Sequence, residues 1–133
     1  MSYPTQHTVT RRAPAASNYG SKVGYIVYES NADEVTLDDG THRPFGVITA
    51  AEDATGGLVA VCVLGECDLV LDAATTFTMG GGTGWIRSDA NGKGVESVAA
   101  DGKYAVGRLL SRADVAAATN RTKILVQPTS AVF

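Results

Sequence analysis

Leu58-Val59-Ala60-Val61-Cys62-Val63-Leu64-Gly65 is the stretch on which the fold turns. It is an apolar run closed by a glycine, too short to cross a membrane as a helix and rich in β-branched side chains, so it reads as a strand buried on both faces. A shorter apolar piece precedes it, Arg43-Pro44-Phe45-Gly46-Val47-Ile48-Thr49, joined through the polar connection Glu52-Asp53-Ala54-Thr55-Gly56-Gly57. Its proline has no N–H to leave idle, which suits the first residue of a strand. A related pair lies near the C-terminus. Tyr104-Ala105-Val106-Gly107-Arg108-Leu109-Leu110 stands where the Pro-Phe-Gly-Val piece stood, and Lys123-Ile124-Leu125-Val126-Gln127-Pro128 where the long run stood. The pattern is one β unit used twice.

Working outward, Val23-Gly24-Tyr25-Ile26-Val27-Tyr28 is aromatic and β-branched and reads as a strand, and Val35-Thr36-Leu37 as another before the turn Asp38-Asp39-Gly40. Glu66-Cys67-Asp68-Leu69-Val70-Leu71 alternates weakly and is expected to return antiparallel, with the reversal near Gly65-Glu66. Thr75-Thr76-Phe77-Thr78-Met79 is a further short strand ahead of the glycine-rich Gly80-Gly81-Gly82-Thr83-Gly84. Gly84-Trp85-Ile86-Arg87 matches Gly24-Tyr25-Ile26-Val27 at a displacement of 60, and Gly107 answers Gly46 at 61. A nearly constant displacement with order kept is what loop insertions between duplicated strands produce. One short helix is expected over Ser111-Arg112-Ala113-Asp114 and Val115-Ala116-Ala117-Ala118, from a capping-box-like start and strong helix formers.

The expected architecture is therefore all-β: a small sandwich or barrel of short antiparallel strands, internally duplicated, over residues 21–133. Residues 1–20 hold no period of 2 or 3.6 and carry two of the four prolines and the doublet Arg11-Arg12, so they are expected to form a flexible arm. A length of 133 residues fits one domain, and 44% apolar with 19% charged residues fits a globular chain. Fifteen glycines favour many strands and tight turns. A net charge of −3 gives no footprint for nucleic acid, and no run of apolar residues suits a transmembrane helix. The start lacks the pattern of an export signal, so synthesis in the cytoplasm is expected, and with it thiols at Cys62 and Cys67.

No residue pattern supplies a nucleophile with its base, a metal cluster or a phosphate cradle. His7 and His42 show no carboxylate or cysteine at metal-ligand spacing and read as surface histidines. Gly80–Gly84 lacks the Gly-Lys-Ser/Thr of a phosphate cradle and reads as a loop. Asp89-Ala90-Asn91-Gly92-Lys93-Gly94 begins like a calcium loop, but Lys93 falls where a ligand oxygen belongs, so a hairpin turn on Asn91-Gly92 explains it better. The paired acids Asp38-Asp39 and Glu52-Asp53 read as solvated turns. The expectation is a non-enzyme with no catalytic residue, no metal and no cofactor.

Gly24-Tyr25-Ile26-Val27, Pro44-Phe45-Gly46-Val47, Gly57-Leu58-Val59-Ala60-Val61 with Gly65, Gly94-Val95, and Gly102-Lys103-Tyr104-Ala105-Val106-Gly107-Arg108-Leu109-Leu110 also carry a likeness. Their order, over roughly residues 20 to 128, resembles the small capsid decoration, or cement, proteins of tailed bacteriophages, in a family long known only as a domain of unknown function. The resemblance implies a compact β domain, often trimeric, on the outside of the expanded shell where major capsid protein subunits meet. Its location would be the virion, its partner the major capsid protein, with no nucleic acid or membrane involved. Capsid contacts are then expected from the arm, through Tyr3, Pro4, Arg11, Arg12, Pro14 and Tyr19, and from Val132 and Phe133 at the apolar chain end. The alternative is a carbohydrate- or host-surface-binding β module with Tyr25, Tyr28 and Trp85 as stacking platforms, or as strand core. A trimeric β enzyme with a site assembled between subunits is a third possibility.

Overall fold

The computed structural model describes residues 6–72, 76–77, 84–97, 104–110, 115–116 and 121–128. The chain is all-β, as its pattern predicts. The strands are β1 (Gln6–Arg12), β2 (Ile26–Asn31), β3 (Glu34–Leu37), β4 (Gly46–Ala51), β5 (Leu58–Val70), β6 (Thr76–Phe77), β7 (Trp85–Ser88), β8 (Gly94–Glu96), β9 (Gly107–Leu109), β10 (Val115–Ala116) and β11 (Arg121–Val126).

Nine of them form one sheet in the order β1-β3-β2-β4-β5-β11-β9-β7-β8, and β1 also pairs with β5. The second pairing closes β1, β3, β2, β4 and the first half of β5 into a five-stranded barrel. The other half repeats the plan. The second half of β5 pairs with β11, then β9, β7 and β8 follow, and a single bridge between Leu71 and Gly94 returns the far edge to the end of β5. The first barrel is likewise completed by one parallel pair, Arg12 with Glu34. The molecule is thus two fused five-stranded units, and β5 is the last strand of one and the first of the next.

Hydrogen bonds define the repeat to the residue. Ile48 donates its N–H to Tyr25 and Leu109 to Gly84; Asp38 donates to Ile26 and Ser97 to Trp85. Val9 faces Val61 as Cys67 faces Ile124, and Thr10 faces Ala60 as Asp68 faces Lys123. Tyr25 therefore corresponds to Gly84, which moves the expected match of Gly24 with Gly84 by one residue. The shift arises because strands repeat by hydrogen-bond partner, whereas the glycines were matched by identity.

Three further expectations change. Residues 6–20 are not an arm: β1 lies along β5 from Gln6 to Arg12, Ala13 and Tyr19 are buried, and Leu37 donates its N–H to the Tyr19 hydroxyl at 3.1 Å. The body thus begins by Gln6, ahead of the expected boundary at residue 21. Its polar sequence hid it, because only alternate residues such as Val9 face the barrel interior, where that side chain packs on the first core. Second, Gly65 does not reverse the chain. β5 runs through it for 13 residues, with Gly65 at φ 112°, a conformation that glycine alone adopts readily. Third, there is no helix among the described residues. Val115–Ala116 pairs antiparallel with Thr76–Phe77, and the rest of the expected helix lies outside the described residues.

Two cores result. Val27, Val35, Ile48, Val59 and Val61 fill the first barrel, and Cys67, Leu69, Leu71, Ile86, Val106, Ile124 and Val126 fill the second. The cross-strand row Ile26, Val47 and Cys62 lies on the outer side of the first barrel and packs into the second core. β5 is accordingly buried on both faces at its centre: Val61 and Cys62 point opposite ways and both are 0% exposed. Each such aliphatic side chain contributes about 1.5–3 kcal/mol on burial. Cys62 and Cys67 are free thiols within this second core. The hydrogen bond with Cys62, together with burial, pushes the Cys67 thiol above its ordinary value.

Candidate functional site

The duplication supplies an internal control for the surface, since each barrel presents the same outer positions. On the second barrel the pair Asp68 and Lys123 forms an exposed ion pair at 3.2 Å, with Arg121 exposed beside it. On the first barrel the corresponding positions are Thr10, Ala60 and Leu58. Leu58 is 40% exposed, and with Thr10, Ala50, Ala51 and Ala60 it lines a shallow open groove of about 380 Å³. Glu52 lies at its rim and accepts the Leu58 N–H at 2.6 Å, which holds the end of the β4–β5 connection. The same architecture thus carries charge on one unit and an apolar groove on the other. Exposed apolar strand surface of this kind suits contact with another protein surface.

The expected contact residues divide. Tyr3, Pro4, Val132 and Phe133 lie outside the described residues. Tyr19 is buried, and burial raises its phenol pKa above the ordinary value. Arg11 is turned to its own fold: its guanidinium pairs with Glu29 at 3.4 Å and lies 5.0 Å from the Phe45 ring centre. Pro14 is half-buried, and Arg12 is exposed at the end of β1. The groove is hidden in the sequence because Leu58–Leu64 reads as uniformly buried. The available signal was the comparison of Ala60 with Lys123 in the two copies.

The aromatic side chains named as stacking platforms are half-buried, and a cationic or aromatic neighbour covers each. Arg108 lies over Trp85 at 5.2 Å, Lys22 over Tyr25 at 5.0 Å, and the His42 ring stacks on Tyr28 at 3.8 Å and 2°. The Arg108 case has a structural reason. By register, Trp85 and Arg108 occupy the positions that Ile26 and Val47 hold in the first copy, where the second barrel covers them. Arg108 is exposed there, and a charged residue at that face keeps it compatible with water.

The turn after β3 is the most densely functionalised part of the described chain. Asp39 Oδ1 accepts from the Thr41 N–H at 2.9 Å and the Thr41 hydroxyl at 2.6 Å, and it lies 3.1 Å from His42 Nδ1. The Thr41 bonds hold the Asp39 carboxyl down to about 2. Asp38 is only 1% exposed and accepts the Gly40 N–H through Oδ1 at 2.8 Å. Burial pushes its carboxyl above the usual range. The sequence pattern gives His42 no carboxylate partner; the turn instead brings an oxygen of Asp38 and one of Asp39 within 4.8 Å of a ring nitrogen. In the β7–β8 turn, Asp89 Oδ1 accepts the N–H groups of Asn91 and Lys93 at 2.7 and 2.9 Å, the hairpin geometry expected of Asn91-Gly92. Compared with protein-family models, curated proteins and solved structures, the chain matches none.

Proposed function

We propose that this chain is a head decoration, or cement, protein of a tailed bacteriophage. In this reading it sits as a homotrimer on the outer surface of the expanded capsid, where major capsid protein subunits meet, and docks through the outer face of its first barrel. The observation that supports the reading is the exchange of Asp68, Lys123 and Arg121 for Thr10, Ala60 and Leu58 on equivalent faces of two otherwise like units. A clamp that buries about 800 Å² per partner meets the size of a specific interface. Three linked copies then gain further through effective concentration. The shell of a DNA-filled head is pushed outward, and such contacts raise the free energy needed to separate its subunits.

The carbohydrate-binding alternative draws less support, because Tyr25, Tyr28 and Trp85 are half-buried and each already has a neighbour over one face of its ring. The test mixes purified protein with expanded empty shells and images them by cryo-electron microscopy. Density is expected at capsomer junctions, contacting Leu58, and Leu58→Glu is expected to weaken binding by about tenfold or more. Its melting temperature should stay near that of the parent, since Leu58 is already exposed. Shells without added density at saturating protein would sink the proposal, as would a Leu58→Glu variant that binds unchanged.

A further inference from the structure

We propose that the turn Asp38-Asp39-Gly40-Thr41-His42 binds a divalent transition-metal ion, with Asp38, Asp39 and the His42 imidazole as its protein ligands. One oxygen from each carboxylate and one ring nitrogen lie within 4.8 Å of one another. Zinc holds oxygen and nitrogen ligands at about 2.0–2.2 Å, so a small contraction of the turn brings all three into its reach. Two carboxylates and an imidazole suit zinc or cobalt, whereas calcium prefers six or more oxygens.

Acidic turns are common, and two observations set this one apart. Asp38 is 1% exposed, and its Oδ2 is buried with no hydrogen-bond partner, although the other oxygen is held by Gly40. A buried carboxylate oxygen without a partner is costly unless something positive comes to it. The His42 ring is also set in place before any ion arrives, stacked flat on Tyr28 at 3.8 Å. A ligand already oriented loses little freedom on binding.

The second copy again serves as control. Ser97 occupies the place of Asp38, as their matching N–H bonds to Trp85 and Ile26 show. A carboxylate at this position is therefore not required by the fold. The turn also abuts the second barrel, where Ser88 Oγ donates to the Asp38 carbonyl at 3.1 Å. A bound ion there favours the folded state by mass action.

The full chain, stripped with a chelator, would be titrated with Zn²⁺ by calorimetry and with Co²⁺ by visible absorption. One ion per chain, ligand-field bands for Co²⁺ and a raised melting temperature are expected. Asp39 and His42 are exposed, so Asp39→Asn and His42→Ala should fold and should each weaken binding by tenfold or more; Asp38→Asn should do likewise if it folds. No saturable binding up to about 1 mM would overturn the proposal. So would binding that His42→Ala leaves unchanged, which would assign the ion elsewhere, or Ca²⁺ binding as tight as Zn²⁺ and indifferent to His42.

Discussion

Gly46 and Gly107 show how one residue type can be obligatory for reasons of space. A Cβ on Gly46 would run into the carbonyl oxygen of Cys62, and one on Gly107 into that of Leu125, the equivalent neighbour in the other copy. The obstacle is backbone inside a ladder, which cannot step aside. Gly46→Ala and Gly107→Ala should each lower stability by about 1–3 kcal/mol or more, measured by urea unfolding. Both glycines stood out in the sequence as repeat markers, but their reason lies in partners many residues away. Asp39 offers a second test at this scale. Its folded carboxyl titrates at about 2 against an ordinary 3.8, so it stabilises the fold above pH 3.8 and loses that contribution as pH falls towards 2. Thr41→Val should raise its titration midpoint, read by carbon-detected NMR, because the Thr41 hydroxyl bond is the largest cause of the shift. An unmoved midpoint would contradict that assignment.

At the scale of elements, β1 and β5 carry the architecture. β1 supplies the strand that closes the first barrel, with seven residues paired along β5 through a register shift between His7 and Thr8, and the buried Ala13 and Tyr19 after it. Removing residues 2–12 should therefore lower the melting temperature sharply or prevent folding, measured by circular dichroism. A free arm would leave it unchanged, and that outcome would contradict the placement of β1. The sequence concealed β1 because a strand on a barrel wall with one solvated face needs few apolar residues, and Thr8, Thr10 and Arg12 take the outer positions. The expected turn at Gly65 failed for the opposite reason. Glycine permits both a reversal and a twist, and only the partners on either side decide: Gln6 and Val126 both pair with Gly65, so the strand continues.

For the whole molecule, a shared strand implies shared stability. Ile124 is fully buried in the second core, whereas Val27 belongs to the first. Ile124→Ala should cost about 2–5 kcal/mol. Because β5 belongs to both barrels, unfolding should remain a single transition, and amide exchange at Val27 should accelerate along with that of the second barrel. Two separate transitions would mean that the barrels are independent. The sequence by itself determined the all-β class and the doubled unit, because β-branched runs, turn residues and a steady displacement are local or additive signals. Tertiary structure alone decided that the unit has five strands, that β5 serves both copies, and that Leu58 is open while Val61 and Cys62 are sealed. Those outcomes depend on which strand lies across from which, and the free energy of that pairing resides in contacts between residues far apart along the chain.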